Sequence, residues 1–273
     1  DSGVMTPETT YNNTDLVTID GWPIQNAIKG HTGIISMQEV LTYSLNTGSI
    51  QALRLLGGSE TEITYQGKEK LYDYYYNRFG LGKYTGIELA ESKGTVIPPT
   101  DIDGTNARYA NMTFGQSLDL TMIQVATAFS AVVNGGDYYT PTLVAGEIKN
   151  GEFVRDVLKE RDHQAIESST SETMRKMLHT ARLVFPNVKY YDEGVYVGGK
   201  TGTAQVVKNG KYTFDETIAT YIGYGARSET DYPEYVIMTK VWEDNRRLDG
   251  GMNAKPIFDE ISQFMVNYLK MRR

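Results

Sequence analysis

Apolar residues in the first two thirds of the chain recur mainly at the three- and four-residue spacing of α-helices. A capping-box pattern at Ser36 and Glu39 opens the first helical stretch, because each of these side chains can bind a backbone N–H at a helix start. The periodicity is interrupted over residues 43–48, resumes over residues 50–56 and stops at a Gly pair. The pattern predicts two helices that meet at residues 44–46.

Three later stretches also show helical periodicity. Residues 71–79 place aromatic side chains on one helical face. A second capping pattern, at Thr121 and Gln124, opens a stretch that is apolar on almost its whole circumference, which predicts a buried helix. Ser169 with Glu172 predicts the start of another helix.

The last third reads as a sheet closed by a helix. Strand-like runs at residues 194–207, 217–226 and 235–242 favour an antiparallel meander. Turn sequences predict hairpins at Asn150-Gly151 and Asn209-Gly210, and a small hairpin or an extended excursion at Asp20-Gly21. Pro256 opens a final amphipathic helix. The side chains expected on its buried side are Ile257, Phe258, Ile261, Phe264, Met265, Tyr268 and Leu269. Helices first and an antiparallel sheet later indicate an α+β fold.

Composition excludes several classes of function. A net charge of −7 argues against a nucleic-acid partner, because no basic excess is present to neutralise phosphates. The chain has no Cys, and its three His residues show no metal-ligand spacing, so we expect neither a metal nor another cofactor. No apolar run approaches the ~18 residues that span a bilayer. The chain starts with Asp1 and lacks a signal-like segment, so we expect a fragment whose targeting information lies upstream.

The run Lys-Thr-Gly-Thr at residues 200–203 places a cation, two hydroxyls and a residue without a side chain on one predicted strand. A Gly within a strand often marks the close approach of a ligand or of another backbone. The ammonium group can pair with a carboxylate, and the hydroxyls can hydrogen-bond the same group. Ser44 and Asn46, between two predicted helices, can move a proton and hold a substrate amide. Together these groups describe a site for a peptide with a free C-terminus.

These residues resemble the motifs of penicillin-binding proteins and serine β-lactamases, which carry S-x-x-K, a triplet of the S-D-N type and K-T-G in this order. Ser44-Leu45-Asn46 is similar to the second motif, and residues 200–203 are similar to the third. The resemblance covers essentially the whole chain and points to the monofunctional, class B D,D-transpeptidases. The other segments that are similar to class B enzymes are residues 4–9, 80–89, 114–117 and 250–258.

The first motif of the family is missing, since no Ser in the chain is followed by Lys three residues later. In the family, this Ser is the acylated nucleophile and the Lys is its base, one helical turn away. The resemblance places the motif just upstream of Asp1. We therefore expect residues 1–273 to be a single, incomplete domain of the β-lactamase/transpeptidase-like fold that lacks its N-terminal part. Residues 1–190 would form a mostly helical part with S-x-N, and residues 191–273 the sheet and last helix with K-T-G.

The resemblance also implies a role for each site residue. The catalytic residues would be Ser44, Asn46, Lys200 and Thr203, and those that bind the substrate carboxylate would be Thr201, Gly202 and Thr203. Ser44 would pass a proton to the departing D-Ala, and Asn46 would orient the missing Lys and the substrate amide. Lys200 would shape the electrostatics around Ser44 and the carboxylate. The backbone N–H of Thr203 would supply half of an oxyanion hole.

The function implied by the resemblance is the cross-linking of peptidoglycan stem peptides by acyl transfer from D-Ala-D-Ala through a Ser acyl-enzyme. Two alternatives stay open: a serine β-lactamase or D,D-carboxypeptidase, and a non-catalytic sensor or scaffold domain, which the missing nucleophile would support. The expected partners are stem peptides, β-lactams and a cell-wall synthesis complex. The expected location is the extracytoplasmic face of the bacterial membrane, with an N-terminal anchor outside this chain.

Overall fold

A computed structural model of the chain describes residues 1–155, 161–208 and 211–272. Its α-helices are α1 (Met37–Tyr43), α2 (Asn46–Leu56), α3 (Tyr65–Tyr72), α4 (Asn106–Met112), α5 (Met122–Val133), α6 (Ser168–Arg182), α7 (Val188–Tyr191) and α8 (Lys255–Tyr268). Its strands are β1 (Thr10–Asn13), β2 (Leu16–Ile19), β3 (Trp22–Gln25), β4 (Gly33–Ser36), β5 (Asp137–Tyr138), β6 (Gly146–Lys149), β7 (Glu152–Arg155), β8 (His163–Gln164), β9 (Tyr196–Lys208), β10 (Lys211–Ala226) and β11 (Tyr235–Val241). None of the described helices is long and apolar enough to cross a bilayer.

The long strands of the last third form one antiparallel sheet in the order β11-β10-β9. This arrangement confirms the α+β fold and the predicted meander. β10 starts at Lys211, earlier than the predicted start at Thr217, because an irregularity between Tyr212 and Thr217 interrupts the alternation on which the prediction rested. The predicted turn at Asn209-Gly210 lies outside the described residues.

Short two-stranded ladders occupy the first two thirds of the described chain. The hairpin predicted at Asn150-Gly151 is confirmed as β6-β7, and of the two possibilities at Asp20-Gly21 the structure has the hairpin, β2-β3. The pairing of β1 with β4 was not predicted, because four-residue strands so far apart in sequence carry no local turn signal. In this ladder Thr10 lies opposite Ser36, and the N–H of Met37 donates to Thr9 O at 2.9 Å. The ladder thus fixes the start of α1 against the N-terminal segment.

The two helices predicted to meet at residues 44–46 do so. Ser36 caps α1 with Glu39 as the predicted capping box. α1 ends at Ser44, whose φ of 57° is left-handed, a conformation that reverses the chain direction at helix ends. The next residue, Leu45, is extended and fully buried, and α2 begins directly after it. The buried Leu45 side chain therefore holds a sharp bend between the two helices.

Two predicted helix starts are wrong. The helix predicted over residues 71–79 begins at Tyr65, capped by the Thr64 hydroxyl, and continues into a π-helical turn at Asp73–Arg78. The apolar periodicity does not extend into this first turn, because the contact there is made by Gly67, which packs against the backbone of Gly57 without a side chain. α6 is present as predicted but begins at Ser168 without a side-chain cap, so the Ser169–Glu172 pattern is not a capping box.

The buried side predicted for α8 is also largely wrong. Ile257, Ile261, Phe264 and Tyr268 are exposed, whereas Phe258 is buried as predicted. The side of α8 that faces the sheet is completed by Lys255, Asp259, Ser262 and Val266. Polar residues occupy this side because Asp259 pairs with a buried cation from α6. By contrast α5, predicted to be buried, exposes only its first residue, Met122, among its own residues.

The buried cation is Arg182, at the end of α6. Its guanidinium binds Asp192 through two nitrogens at 2.8 Å each and Asp259 at 2.7 Å. It also donates to the hydroxyl of Tyr221 on β10 at 3.0 Å. On the other side of the pair, Lys255 binds Asp259. These contacts join α6, β10 and α8 behind the sheet, and every charge in the cluster has an opposite partner.

We expect Arg182→Met to destabilise the protein by about 3–5 kcal/mol, because breaking a buried ion pair leaves the Asp192 carboxylate uncompensated in the interior, while Asp259 keeps Lys255. Arg246→Met is the matched control, since its pair with Glu243 is solvent-exposed and such pairs contribute about 1 kcal/mol or less. Chemical denaturation followed by circular dichroism measures both changes. Similar losses for the two variants would contradict the structural importance of the Arg182 cluster.

Candidate active site

The S-x-N residues lie at the bend between α1 and α2. Ser44 is exposed, and its backbone N–H donates to Val40 O at the end of α1. Asn46 is half-buried as the first residue of α2, and its side-chain amide donates to Gln25 O at 2.8 Å. This bond leaves the Asn46 carbonyl oxygen as the acceptor that the side chain can offer a ligand. A hydroxyl and an amide oxygen are therefore held two residues apart at the bend.

A buried polar cluster beneath the bend fixes the start of α2. The Thr47 N–H donates to Asn26 Oδ1 at 3.0 Å, and the Thr47 hydroxyl donates to Asn13 Oδ1 at 2.8 Å. Asn26 in turn donates to Asp15 Oδ1 at 2.8 Å. A fully paired buried network specifies one geometry, because moving any member leaves a polar group unsatisfied. Sequence reasoning missed this cluster, since its members come from three separate segments: residues 13–15, the loop after β3 and the start of α2.

The K-T-G residues lie on β9. The Lys200 side chain is half-buried, and its Nζ donates to Thr201 O at 3.2 Å and to Thr201 Oγ1 at 3.3 Å. Burial lowers the pKa of Lys200 to about 8, and the nearby Asp249 carboxylate opposes this effect. A Lys that titrates near neutral pH can act both as a cation and as a participant in proton transfer.

One cavity of about 510 Å³ brings the two motifs together. Ser44 and Asn46 line it from one side, and Lys200 and Thr201 line it from the other. Most of the remaining wall consists of apolar side chains from α1, α2 and α6. An apolar surrounding strengthens the electrostatic interactions of the few polar groups that face it. The predicted convergence of hydroxyl, amide and cation is therefore present in the structure.

The structure places Thr203 and Gly202 differently. Thr203 is exposed beyond the cavity, where its hydroxyl accepts from Gly250 N–H at 3.1 Å and donates to Asp249 Oδ2 at 3.5 Å. Gly202 lies against the backbone of Gly250, since a Cβ on Gly250 would come within 2.6 Å of Gly202 O. The close approach that a strand Gly indicates is here the approach of another backbone segment.

Asp249 is the charged residue near this strand that sequence reasoning missed. It caps the π-helical turn at Gly250–Ala254, with its carboxylate accepting from Gly251 N–H at 2.8 Å. The available signal was an Asp immediately before a Gly pair and a helix, which is a common capping pattern. The segment resemblance begins one residue later, at Gly250, and did not include it.

Serines from α2 and the bend reach the cavity, but neither has the spacing of a nucleophile and its Lys base. Ser44 and Ser49 line the wall, and the Ser49 hydroxyl donates to Leu45 O at 3.4 Å. No Ser of the chain precedes a Lys by three residues. The chain thus supplies the groups that surround a reacting carbonyl without the S-x-x-K pair.

The fold and the two motifs on one cavity define a protein of the β-lactamase/transpeptidase fold. A family model described as the penicillin binding protein transpeptidase domain matches residues 1–263. The chain therefore belongs to the transpeptidase family of penicillin-binding proteins, and its relatives are of the class B type.

Similar proteins agree with this membership. Stage V sporulation protein D of Bacillus subtilis is 33% identical over 247 residues, which cover 89% of this chain and 36% of that protein. The peptidoglycan D,D-transpeptidase FtsI homolog of Mesostigma viride is 25% identical over 255 residues, covering 87% and 40%. Penicillin binding protein 3 of Mycobacterium tuberculosis, solved with ampicillin, matches with a TM-score of 0.80 at 23% identity and covers 98% of this chain and 58% of that one. The chain spans about a third of the length of the first curated relatives that it matches.

We expect Lys200→Met to stabilise the protein at neutral pH by about 1–3 kcal/mol, because it removes a cation whose pKa is depressed from 10.5 to about 8 by burial. Between these two values the unfolded chain binds a proton that the folded chain has lost, so wild-type stability rises with pH. The advantage of the variant should therefore shrink as pH rises from about 8 to 10.5.

Denaturant titrations across this pH range measure the difference between Lys200→Met and the wild type. Lys240→Met on β11 is the control, because Lys240 is exposed and its charge stays in water. An advantage of Lys200→Met that does not change with pH would show that the Lys200 ammonium is not destabilised by burial.

Proposed function

We propose that this chain is the motif-bearing part of a peptidoglycan D,D-transpeptidase. The observation that carries the proposal is the convergence of Ser44, Asn46 and Lys200 on one apolar cavity, although they are more than 150 positions apart in the sequence. Family membership and the names of relatives support the same activity. The substrate is a stem peptide that ends in D-Ala-D-Ala, and β-lactams compete for its place.

In the first step, a Ser hydroxyl attacks the carbonyl of the penultimate D-Ala. A C–O bond forms, the C–N bond breaks, and the last D-Ala leaves as an amine that takes its proton through Ser44. Asn46 orients the substrate amide with its carbonyl oxygen, and the backbone N–H of Thr203 stabilises the oxyanion. In the second step, the amine of another stem peptide attacks the ester and releases the Ser.

The substrate carboxylate is bound by the K-T-G strand. Lys200 supplies the positive charge, and Thr201, Gly202 and Thr203 supply hydroxyl and backbone donors. The Thr203 hydroxyl already has partners in Asp249 and Gly250, so Thr201 is the better placed of the two hydroxyls, since it lines the cavity. The protonated form of Lys200 binds this carboxylate, which favours pH values below its pKa of about 8.

The nucleophile is an S-x-x-K pair in a segment that precedes Asp1 in the complete protein. The apolar walls formed by α1, α2 and α6 fit the buried side of a helix that presents this pair beside Ser44. In this proposal residues 1–273 belong to one domain, with residues 1–190 carrying S-x-N and residues 191–273 carrying K-T-G. The complete protein works on the outer face of the bacterial membrane, held by an anchor outside this chain, and within a cell-wall synthesis complex.

The alternative functions receive less support. A β-lactamase or D,D-carboxypeptidase would pass the acyl group to water, and nothing in the cavity walls, which are largely apolar, favours a positioned water. Of the relatives named above, one is called a peptidoglycan D,D-transpeptidase FtsI homolog, and none is named as a β-lactamase, a carboxypeptidase or a sensor.

The test is acylation of the full-length protein by a fluorescent penicillin. We expect Ser44→Ala and Lys200→Ala each to lower the second-order acylation rate constant by about 100-fold or more, the scale of losing one proton-transfer or electrostatic group. Lys240→Ala, which removes an exposed cation on β11, is the control and should acylate at the wild-type rate. Near-normal rates for both site variants, or no acylation of the wild type, would refute the proposed function.

A further inference from the structure

Asp249 places a carboxylate beside the K-T-G strand, and neither motif assigns it a role. Its Oδ1 accepts the N–H groups of Gly251 at 2.8 Å and Met252 at 3.1 Å. Its Oδ2 faces the Thr203 hydroxyl at 3.5 Å. One oxygen is therefore occupied by the cap, and the other is directed toward the exposed part of β9.

The segment that carries Asp249 is held firmly in place. The buried Thr217 hydroxyl accepts from Leu248 N–H at 2.7 Å and donates to Leu248 O at 2.6 Å. The Asp249 N–H itself donates to Asn253 Oδ1 at 2.8 Å. Farther back, the buried Glu216 carboxylate accepts from Asn245 N–H at 2.9 Å. These hydrogen bonds fix the backbone that carries the Asp249 carboxylate.

The charge of Asp249 is not neutralised by an ion pair within the described part of the chain. The other acidic residues of the same loop do form pairs, Glu243 with Arg246 and Asp244 with Lys208. The Asp249 charge also reaches the site, since it raises the pKa of Lys200 against the effect of burial. The Asp249 carboxylate therefore adds a negative contribution to the potential on the exposed side of Thr203.

An extended peptide can reach this position along β9. The outer edge of β9 pairs with no strand among the described residues, so a peptide can add there as a further strand. Residues 197–199 are buried, whereas Thr203 is exposed, so the open direction along the edge runs from Thr201 toward Thr203. A peptide that pairs with β9 has the same rise per residue as β9 itself. A chain whose C-terminus is at Thr201 thus passes Asp249 within about two residues.

We propose that Asp249 is a specificity-determining residue that favours donor peptides with a positively charged side chain directly before D-Ala-D-Ala. The inference rests on the proposed function, because it takes the peptide carboxylate to be bound at Thr201. The carboxylate attracts an ammonium group on that side chain and repels an anionic one, and it does not take part in bond making or breaking.

The experiment uses the full-length protein and three penicillins that differ at one carbon of the acyl side chain. Ampicillin carries an amine there, benzylpenicillin a hydrogen and carbenicillin a carboxylate, and this side chain stands in for the residue before D-Ala-D-Ala. Second-order acylation rate constants are measured at mildly acidic pH, where the amine is protonated. The variants are Asp249→Asn, which can still cap the turn, and Asp244→Asn, which removes a charge from the same loop near Lys208.

We expect Asp249→Asn to lower the ampicillin-to-carbenicillin ratio by about three- to twentyfold, as two exposed charge interactions predict. Asp244→Asn should keep the wild-type ratio. Added salt should lower the wild-type ratio and leave that of Asp249→Asn unchanged. Equal slowing with all three penicillins, or an unchanged ratio, would overturn the inference and leave only a structural role for Asp249. Absence of acylation of the wild type by benzylpenicillin would instead overturn the proposed function, and the inference with it.

Discussion

The buried guanidinium of Arg182 fixes the strand that pairs with the K-T-G strand. It joins the end of α6 to Asp192, to Asp259 on α8 and to Tyr221 on β10. Tyr221 lies directly opposite Thr201 in the register of β9 and β10. The strand that carries the candidate carboxylate-binding residues is therefore braced from behind by a fully buried cation. Without it, the buried Asp192 carboxylate would lack a partner, Asp259 would keep only Lys255, and the link between α6 and β10 through Tyr221 would be lost.

At the K-T-G strand, burial destabilises the charge of Lys200, and the carboxylate of Asp249 stabilises it. Lys200 is held partly out of water at an apolar cavity, which costs stability and brings its pKa down to about 8. Asp249, fixed beside Thr203, returns part of that cost by attraction. Such a compromise is typical of functional sites, where a charge is kept in a costly place because the chemistry requires it. In this account the cavity, the cation and the carboxylate form one electrostatic unit.

Features that depend on neighbouring residues could be predicted from the sequence, and features that depend on distant ones could not. The Ser36 cap, the hairpins and the bend at Ser44 follow from a few adjacent residues. The buried side of α8 was misjudged because its orientation is set by the pairing of Asp259 with a cation from another helix. Asn26 was missed for the same reason, because its partner Thr47 comes from a separate segment. Asp249 carries a local capping signal, but its contact with Thr203 joins segments far apart in the sequence. The two motifs were found because the family resemblance links positions that local patterns do not.

The central claim is that this chain forms the walls of a serine acyl-transfer site whose nucleophile lies in a preceding segment. Mass spectrometric mapping of the full-length protein after reaction with penicillin tests it most directly. The account predicts one covalent adduct, on a Ser of an S-x-x-K sequence upstream of Asp1. An adduct on Ser44, Ser49 or any other residue of positions 1–273, or the absence of an adduct, would contradict it.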